Sequence, residues 1–447
     1  MALCSSNLTS GFIDLATFDE IEKYMYGGPD ATAYFVRETR KSTWFTQVPV
    51  CLSRASGHPD FNQEFHVSIS RAGDYLLHTW LRTTVPAVEA ATSTSLRWTK
   101  NLMHNLVKEC QITFNDLVAA RFDNYHLDFW TAFTVPASKR EGYDAMIGNV
   151  AALVDGSPNA GTLPESTLNL PLPFFYSRDS GVALPTAALP YNEMRISFHL
   201  RDWSELLLAS TGSAAWAPAT LADIEGSAAP VLKNTQVWAN YAIVSNDERK
   251  RMACAPRDIL IEQVQTAPRQ SFTPATNPQQ SFDVRFSHAI KVLFFAVRNK
   301  TNVAEWSRYG TASAAGGPGP VVLSVPGPNV DPVSVTSLIY ENTQRLSQMG
   351  SDYFSLVNPY YHAQTIASPT KDLGLHMYSY SLDFLCLDPM GSTNYGKLTN
   401  VSVVPEASAQ AIAAANDADA QKFEFIVTAV NNNIIRVSGG ALGFPVL

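Results

Sequence analysis

Charge is what this chain has least of. Of 447 residues only 16% are Asp, Glu, Lys or Arg, against roughly 25% in soluble domains at large. Ala, Ser, Thr and Asn fill the deficit. A surface so poor in charge associates unless partners cover it, which points to an assembling protein, although a neutral-surfaced β-protein has the same composition. Basic runs are missing as well. The net charge is −8 and no Lys/Arg cluster exceeds Arg249-Lys250-Arg251. Releasing counterions from nucleic acid needs a basic stripe, so no direct nucleic-acid partner is expected.

Cysteine is scarce and scattered. Cys4, Cys51, Cys110, Cys254 and Cys386 form no Cys-x-x-Cys and their total is odd, which argues against a disulfide framework and a zinc site. All five are expected to be free thiols in a reducing compartment. The opening residues Met1–Ser6 lack the basic and apolar regions of a secretory signal, and Ala2 stands where myristoylation needs glycine. The longest apolar run, Ile290 and Val292–Val297 around Lys291, falls far short of the roughly 18 residues of a membrane span. A soluble protein follows as the expectation. The sequons at Asn7, Asn299 and Asn400 then read as chance matches.

Catalytic signatures are missing too. There is no Gly-x-Ser-x-Gly elbow, phosphate loop or dinucleotide fingerprint. Gly391–Gly396 (GSTNYG) lacks the Lys-Ser/Thr ending of a phosphate cradle and reads as a polar turn feeding a strand. His104 and His288 have no nearby His or Cys partner, so hydrogen bonding at a strand entrance is preferred over metal binding. Asp202 with Glu205, or Glu341 with Asp352, could be nominated as a glycosidase pair, but no motif stands behind them. The tyrosines of Asn358–His362 could form a sugar platform, though a packed loop is the plainer reading. No catalytic residue, cofactor or metal is expected.

What is present is a repeat. Asn101–Asn115 (NLMHNLVKECQITFN) and Arg285–Asn299 (RFSHAIKVLFFAVRN) each carry a His, a β-rich run and an Asn at one spacing. Pro190–Leu200 and Asn394–Val404 follow, then an Ala-rich excursion in each half, then closing runs Gln236–Val244 and Lys422–Val430. The order predicts two copies of one β-domain, a building block rather than a single active site. Two domains of about 200 residues also suit the length.

Residues 1–30 differ from the rest. Thr17–Glu20 has capping-box spacing and Phe18, Ile21 and Met25 make one apolar stripe. A short helix over about Phe18–Tyr26 is predicted, stopped by Gly27-Gly28-Pro29, and too short to persist without docking. From Ala31 the pattern is β: Glu64–Ser70 alternates, Arg71–Asp74 turns, and Tyr75–Arg82 runs on until Pro86. Short strands between turn signals mark a sandwich or jelly roll. Tyr125–Phe133 reads as an aromatic helix over a sheet edge. Ser245–Met252 reads as a capped helical join, with Asp258–Gln265 opening the second copy. Ala209–Pro230, Thr311–Asn329 and Pro405–Ala420 read as long loops, the first and third in the same slot. The division is an arm of 1–30, one domain of 31–247, a link of 248–258 and a second domain of 259–447.

Seven stretches carry a family resemblance: Thr9–Leu15 (TSGFIDL), Met25–Gly28 (MYGG), Ser177–Pro185 (SRDSGVALP), Leu189–Glu193 (LPYNE), Tyr340–Thr343 (YENT), Gly391–Gly396 and Gly443–Pro445 (GFP). Taken together, and running from end to end, they resemble the major capsid proteins of iridoviruses, among the large nucleocytoplasmic DNA viruses. The resemblance implies an all-β double jelly roll, two tandem eight-stranded rolls behind a short N-terminal helical arm. It implies homotrimers forming pseudo-hexagonal capsomers, tiling an icosahedral shell over an inner lipid membrane with minor capsid proteins as partners. On that reading the chain is made and assembled in the host cytoplasm. Its arm faces inward, docked on protein through Phe12, Ile13, Leu15, Phe18 and Ile21, with membrane contact secondary. Two rival classes are a double-jelly-roll enzyme acting on glycans and a lectin-like binding module.

Overall fold

Alternation with a period of two buries one face of a strand and leaves the other to solvent, and this rule builds most of the molecule. The computed structural model describes residues 2–26, 41–212, 215–311, 330–369, 371–416 and 420–444, with side chains in the first helix from Leu8 onward. The chain divides into two compact units, residues 1–44 and 45–447.

The first unit carries helices α1 (Ala2–Ala16) and α2 (Glu20–Tyr26). Helix α1 was not legible from the sequence, because no cap precedes it and its composition is mixed. Helix α2 begins two residues later than predicted. Its cap is Asp19, whose backbone N–H donates to Glu22 Oε2 at 3.3 Å, so the box lies at Asp19–Glu22. Thr17 instead hydroxyl-bonds Asp14 O at 2.6 Å behind α1. Leu8, Phe12, Ile13, Leu15, Phe18, Ile21 and Met25 are all exposed. The Gly27-Gly28-Pro29 stop and the β pattern expected over 31–40 lie outside the described residues.

The second unit opens with eight main strands: β1 (Phe45–Cys51), β2 (Glu64–Ser68), β3 (Tyr75–Val85), β4 (Val107–Phe114), β5 (Leu117–Asp123), β6 (Ser166–Pro171), β7 (Met194–Leu200) and β8 (Lys233–Val244). They form two antiparallel sheets, ordered β1-β8-β3-β6 and β2-β7-β4-β5. Eight more follow: β9 (Arg257–Thr266), β10 (Phe282–Asp283), β11 (Ala289–Asn299), β12 (Val333–Tyr340), β13 (Thr343–Gly350), β14 (Leu375–Ser379), β15 (Val401–Ala407) and β16 (Phe423–Ser438). Their sheets run β9-β16-β11-β14 and β10-β15-β12-β13. Adding eight to each label in the first pair gives the second pair. Both halves also carry short extra strands, such as Arg54–Gly57 and Gln270–Phe272, so neither is a plain eight-stranded count.

That correspondence bears out two of the three paired segments and corrects the third. Met194–Leu200 and Val401–Ala407 occupy the same place (β7 and β15), as do the closing strands β8 and β16. Asn101–Asn115 and Arg285–Asn299 do not: the first supplies β4 and the second supplies β11, whose true counterpart is β3. The spacing of His and Asn is a coincidence of sequence. Strand β4 alternates between buried and half-exposed positions, whereas β11 is buried nearly throughout because a core lies on each side of it. The structural twin of Asn115 is Glu341. Asn115-Asp116 (φ 48° and 65°) and Glu341-Asn342 (φ 44° and 67°) both turn a hairpin through the left-handed region, the backbone that two-residue hairpins require. YENT is therefore a turn motif.

Helices fill the connections. Short α3 (Leu102–Leu106) leads into β4, and between β5 and β6 come α4 (Asn124–Thr134), α5 (Ala137–Ile147) and α6 (Ala151–Val154). The aromatic helix was expected and is α4, capped by Asp123 accepting from His126 N at 3.0 Å. It covers a sheet face rather than an edge, because Phe129 and Phe133 both stack on Phe294 in the middle of β11. The join is α7 (Asn246–Cys254), with Ser245 at its cap position but making no side-chain capping bond. Two expected loops contain regular elements: Ala209–Pro230 starts inside a strand, Leu207–Thr211, and Pro405–Ala420 holds the end of β15 and helix α9 (Ala409–Asn416). Both do lie between equivalent strands. Of Thr311–Asn329, all but Thr311 lies outside the described residues. Cys51, Cys110, Cys254 and Cys386 are free thiols; the Cys4 side chain lies outside the described residues.

A left-handed residue with a β-branched side chain costs roughly 1–2 kcal/mol. Asn342→Val should therefore lower stability by about that amount in urea titrations, while Asn342→Gly should leave it unchanged or raise it slightly.

Candidate functional site

The densest chemistry in the molecule lies on the seam where the two sandwiches meet. On α4, Tyr125, Asp128, Phe129, Ala132 and Phe133 recur at helical spacing on one face and are all buried. That face lies over β11 and β16, whose Val292, Phe294, Ala296 and Ile426 point away from their own core and join the α4 cluster. Phe129 and Phe133 stack on Phe294 at 5.5 and 5.7 Å between centroids. Phe384 meets both Phe294 and Trp130 edge-on.

Asp128 stands in the middle of this apolar layer with a side chain 2% exposed. Its two oxygens accept from both sandwiches. Oδ1 takes His104 Nδ1 at 2.8 Å and Asn101 Nδ2 at 3.0 Å from the first. Oδ2 takes Ser307 Oγ at 2.8 Å and the Tyr309 hydroxyl at 2.7 Å from the second. Burial alone would raise the carboxyl pKa, but the His104, Tyr309 and Ser307 bonds outweigh it and hold it below the usual range. His104 Nε2 lies 2.8 Å from the Tyr143 hydroxyl on α5, and Asn105 Nδ2 donates to Ser307 Oγ at 2.9 Å.

Ion pairs ring this hub. Arg140 on α5 reaches Asp372 with two bonds at 3.0 and 2.8 Å, and Lys371 returns to Asp144 at 2.8 Å. Arg178 donates to Glu262 at 2.5 Å, and Glu262 also accepts from Lys291 at 2.6 Å. Arg97 pairs with Glu305. Trp306 from the second sandwich has two guanidinium groups over its ring, Arg201 at 3.5 Å and Arg298 at 4.0 Å, and donates its indole N–H to Glu205 O at 3.0 Å. Cations over an aromatic face gain most when desolvated. Arg298 is nearly fully buried and also donates to the Tyr125 hydroxyl at 2.8 Å.

The residues singled out in the sequence separate. His104 is structural, as expected, and central to the seam. His288 is only half-buried at a left-handed turn (φ 64°) ahead of β11, so the two histidines are not equivalent. Asp202 accepts from Ser204 N in a local turn while Glu205 pairs with Arg201. Glu341 accepts from Thr399 in its hairpin turn, and Asp352 precedes the turn Tyr353–Val357. Neither pair is drawn into a site. Gly391–Gly396 is a polar turn, with Thr393-Asn394 pairing on β11. Asn358–His362 is not a packed loop but helix α8, whose Tyr360 and Tyr361 are exposed. Asn299 is wholly buried, bonded to Gly310 O and Gln421, so its sequon is out of reach in the folded chain. Among the described residues no cluster of His, Cys, Asp and Glu could hold a metal, and no helix is long and apolar enough to cross a membrane.

Sequence reasoning missed Asp128, Glu262, Trp306, Ser307 and Tyr309. Lys291 was the available signal: a lone charge inside an apolar β-run must meet a buried counter-ion, here Glu262.

Asp128 sets a pH dependence. Its folded pKa is below the unfolded value of about 3.8, so its contribution is full above that value and lost as pH falls through the folded pKa. His126 adds to the same acid limb: burial first and the Arg178 charge second pull its folded pKa down to about 3, so stability also falls as pH drops below its unfolded value of about 6.5. Breaking one partner of a buried charge network costs roughly 3–5 kcal/mol. Asp128→Ala should lose about that at pH 7 and progressively less as pH falls below the unfolded value, with a flatter acid limb in denaturant titrations across pH.

The comparisons agree from end to end. Residues 33–244 match the family described as "Major capsid protein N-terminus", and residues 248–443 match "Large eukaryotic DNA virus major capsid protein". The chain is 64% identical to the major capsid protein of Costelytra zealandica iridescent virus, covering 100% of both. It is 65% identical to that of Tipula iridescent virus, covering 98% of both. Among solved structures, PBCV-1 VP54, fitted into a reconstruction of the virophage Sputnik, superposes with a TM-score of 0.73 at 19% identity, covering 93% of this chain and 100% of that one. At that identity the likeness is one of fold, the double jelly roll. The relatives at over 60% identity are structural proteins of a virus shell rather than enzymes, and the chain belongs to their family, the major capsid proteins of the iridoviruses.

Proposed function

We propose that three copies of this chain close into one capsomer with a pseudo-hexagonal outline, and that such capsomers tile an icosahedral shell over an inner lipid membrane. The observation that carries this reading is the repeated strand order. Two like sandwiches in one chain, locked by the seam, give six like blocks from three chains. The chain's self-association follows from its family; the trimer is this reading's addition. An arm of 1–30, rolls of 31–247 and 259–447 and a link of 248–258 belong to the same reading, supported by the matches at 33–244 and 248–443. Synthesis and assembly in the host cytoplasm fit the free thiols.

The arm is the inward contact on this reading. Exposed Phe12, Ile13, Leu15, Phe18 and Ile21 would be covered by minor capsid proteins. Asp14, Asp19, Glu20 and Glu22 make the arm acidic, so anionic headgroups would not draw it and membrane contact is secondary. Native mass measurement should find a trimer at micromolar concentration, and negative-stain images should show hexagonal outlines; a stable monomer would overturn the reading. Deleting residues 1–20 should keep the trimer, because both cores lie downstream, and impair shell assembly.

A further inference from the structure

The seam has a donor side and a receiver side. The donor is the connection between β5 and β6, carrying α4 and α5. The receiver is the outer face of β11 and β16. The chain presents each of these a second time. The equivalent connection in the second sandwich lies between β13 and β14 and carries the turn Tyr353–Val357 and helix α8. Its tip is bare: Tyr360 is 67% exposed and Tyr361 71%, and beside it, just after β14, Leu382 is 71% exposed with its carbonyl 3.0 Å from His362 Nδ1.

The equivalent receiver in the first sandwich is the outer face of β3 and β8. Trp80 and Trp238 sit directly opposite each other there and stack at 6.4 Å. Beside them opens a mostly apolar groove of ≈ 950 Å³, walled by Trp80 and Pro171 on the sheet and by Leu127, Trp130 and Met146 on α4 and α5. Trp130 also packs against the seam cluster, so the groove continues an interface that already exists. Charge is complementary. Arg82 and Lys139 are exposed on the receiver side and make no ion pair among the described residues, while Asp352 is exposed on the donor connection.

We propose that the β13–β14 connection of one copy docks, through Tyr360 and Tyr361 with Leu382 beside them, onto the Trp80/Trp238 face of a second copy, repeating the internal seam between chains. This rests on the capsomer reading and names its contact. The contact is heterologous, so each copy gives one donor and one receiver, and the series ends only when a ring closes.

Two variants of the full chain test it: Tyr360→Glu with Tyr361→Glu, which spoils the donor, and Trp238→Glu, which spoils the receiver. Aromatic residues at the centre of an interface dominate its energy, so each variant should weaken trimer formation by on the order of tenfold or more while keeping the native circular dichroism spectrum. Serine at the same positions serves if either glutamate variant fails to fold, because all three side chains are partly or largely exposed. Mixing the two variants should give heterodimers and no trimers, since one intact donor then faces one intact receiver. Trimers that persist in both variants, or a mixture that yields no heterodimer, would overturn the contact while leaving a trimeric wild type intact. A monomeric wild type would remove the capsomer reading itself.

Discussion

The structure depends on one buried carboxylate that both sandwiches must satisfy. Asp128 accepts two bonds from the first and two from the second. A buried charge without partners costs several kcal/mol, whereas apolar residues in its place could be as stable. Its value is therefore geometric. An apolar contact such as Phe129 on Phe294 tolerates a slide of an ångström or more, since dispersion is weakly directional. Hydrogen bonds to Ser307 and Tyr309 do not. The flanking pairs Arg140–Asp372 and Arg178–Glu262 add constraints at separate points along the seam, and several fixed points define an orientation. For a block whose neighbours must meet at defined angles, a rigid joint matters more than additional stability.

The joint also explains where helices occur in a β-protein. A jelly roll closes its own core between its two sheets, and the outer faces remain available. The long β5–β6 connection supplies α4 to cover one such face, so β11 and β16 are buried on both sides and their sequence loses its alternation. Periodicity read from β11 alone therefore suggests a strand without saying what lies beyond it. The unbroken apolar run Val292–Val297 is the trace of that second layer.

Much of the fold was legible. The order of β-runs, the closing strands, the aromatic helix and the join at Ser245 were all readable, because local alternation and turn chemistry encode them. The pairing of Asn101–Asn115 with Arg285–Asn299 failed for a physical reason. Two β-rich runs after a His look alike locally, and only the sheet order separates β4 from β11. The hairpin turns at Asn115-Asp116 and Glu341-Asn342 were the better landmark, since left-handed backbone selects few residue types. The seam was not legible. Asp128, Glu262 and Ser307 come from distant parts of the chain, and nothing in a single sequence shows that they meet.

The scarcity of charge takes on a different meaning once the seam is placed. Asp128, Asp372, Glu262, Lys291 and Arg298 are buried, and Arg97, Arg140, Arg178 and Glu305 are largely so. These nine, of 32 Lys and Arg and 40 Asp and Glu, point inward, leaving the outer faces slightly more neutral than composition alone suggests. Charges on a joining face would have to be desolvated whenever two blocks met, at a cost that their pairing need not recover. A chain that spends ions on the internal joint and presents tryptophan and tyrosine on other faces, as at Trp80, Trp238, Tyr360 and Tyr361, lowers that cost. The internal seam can be polar because it forms once, during folding. Faces that must find each other in solution are better made of aromatic surface, which binds without demanding an ion of its own.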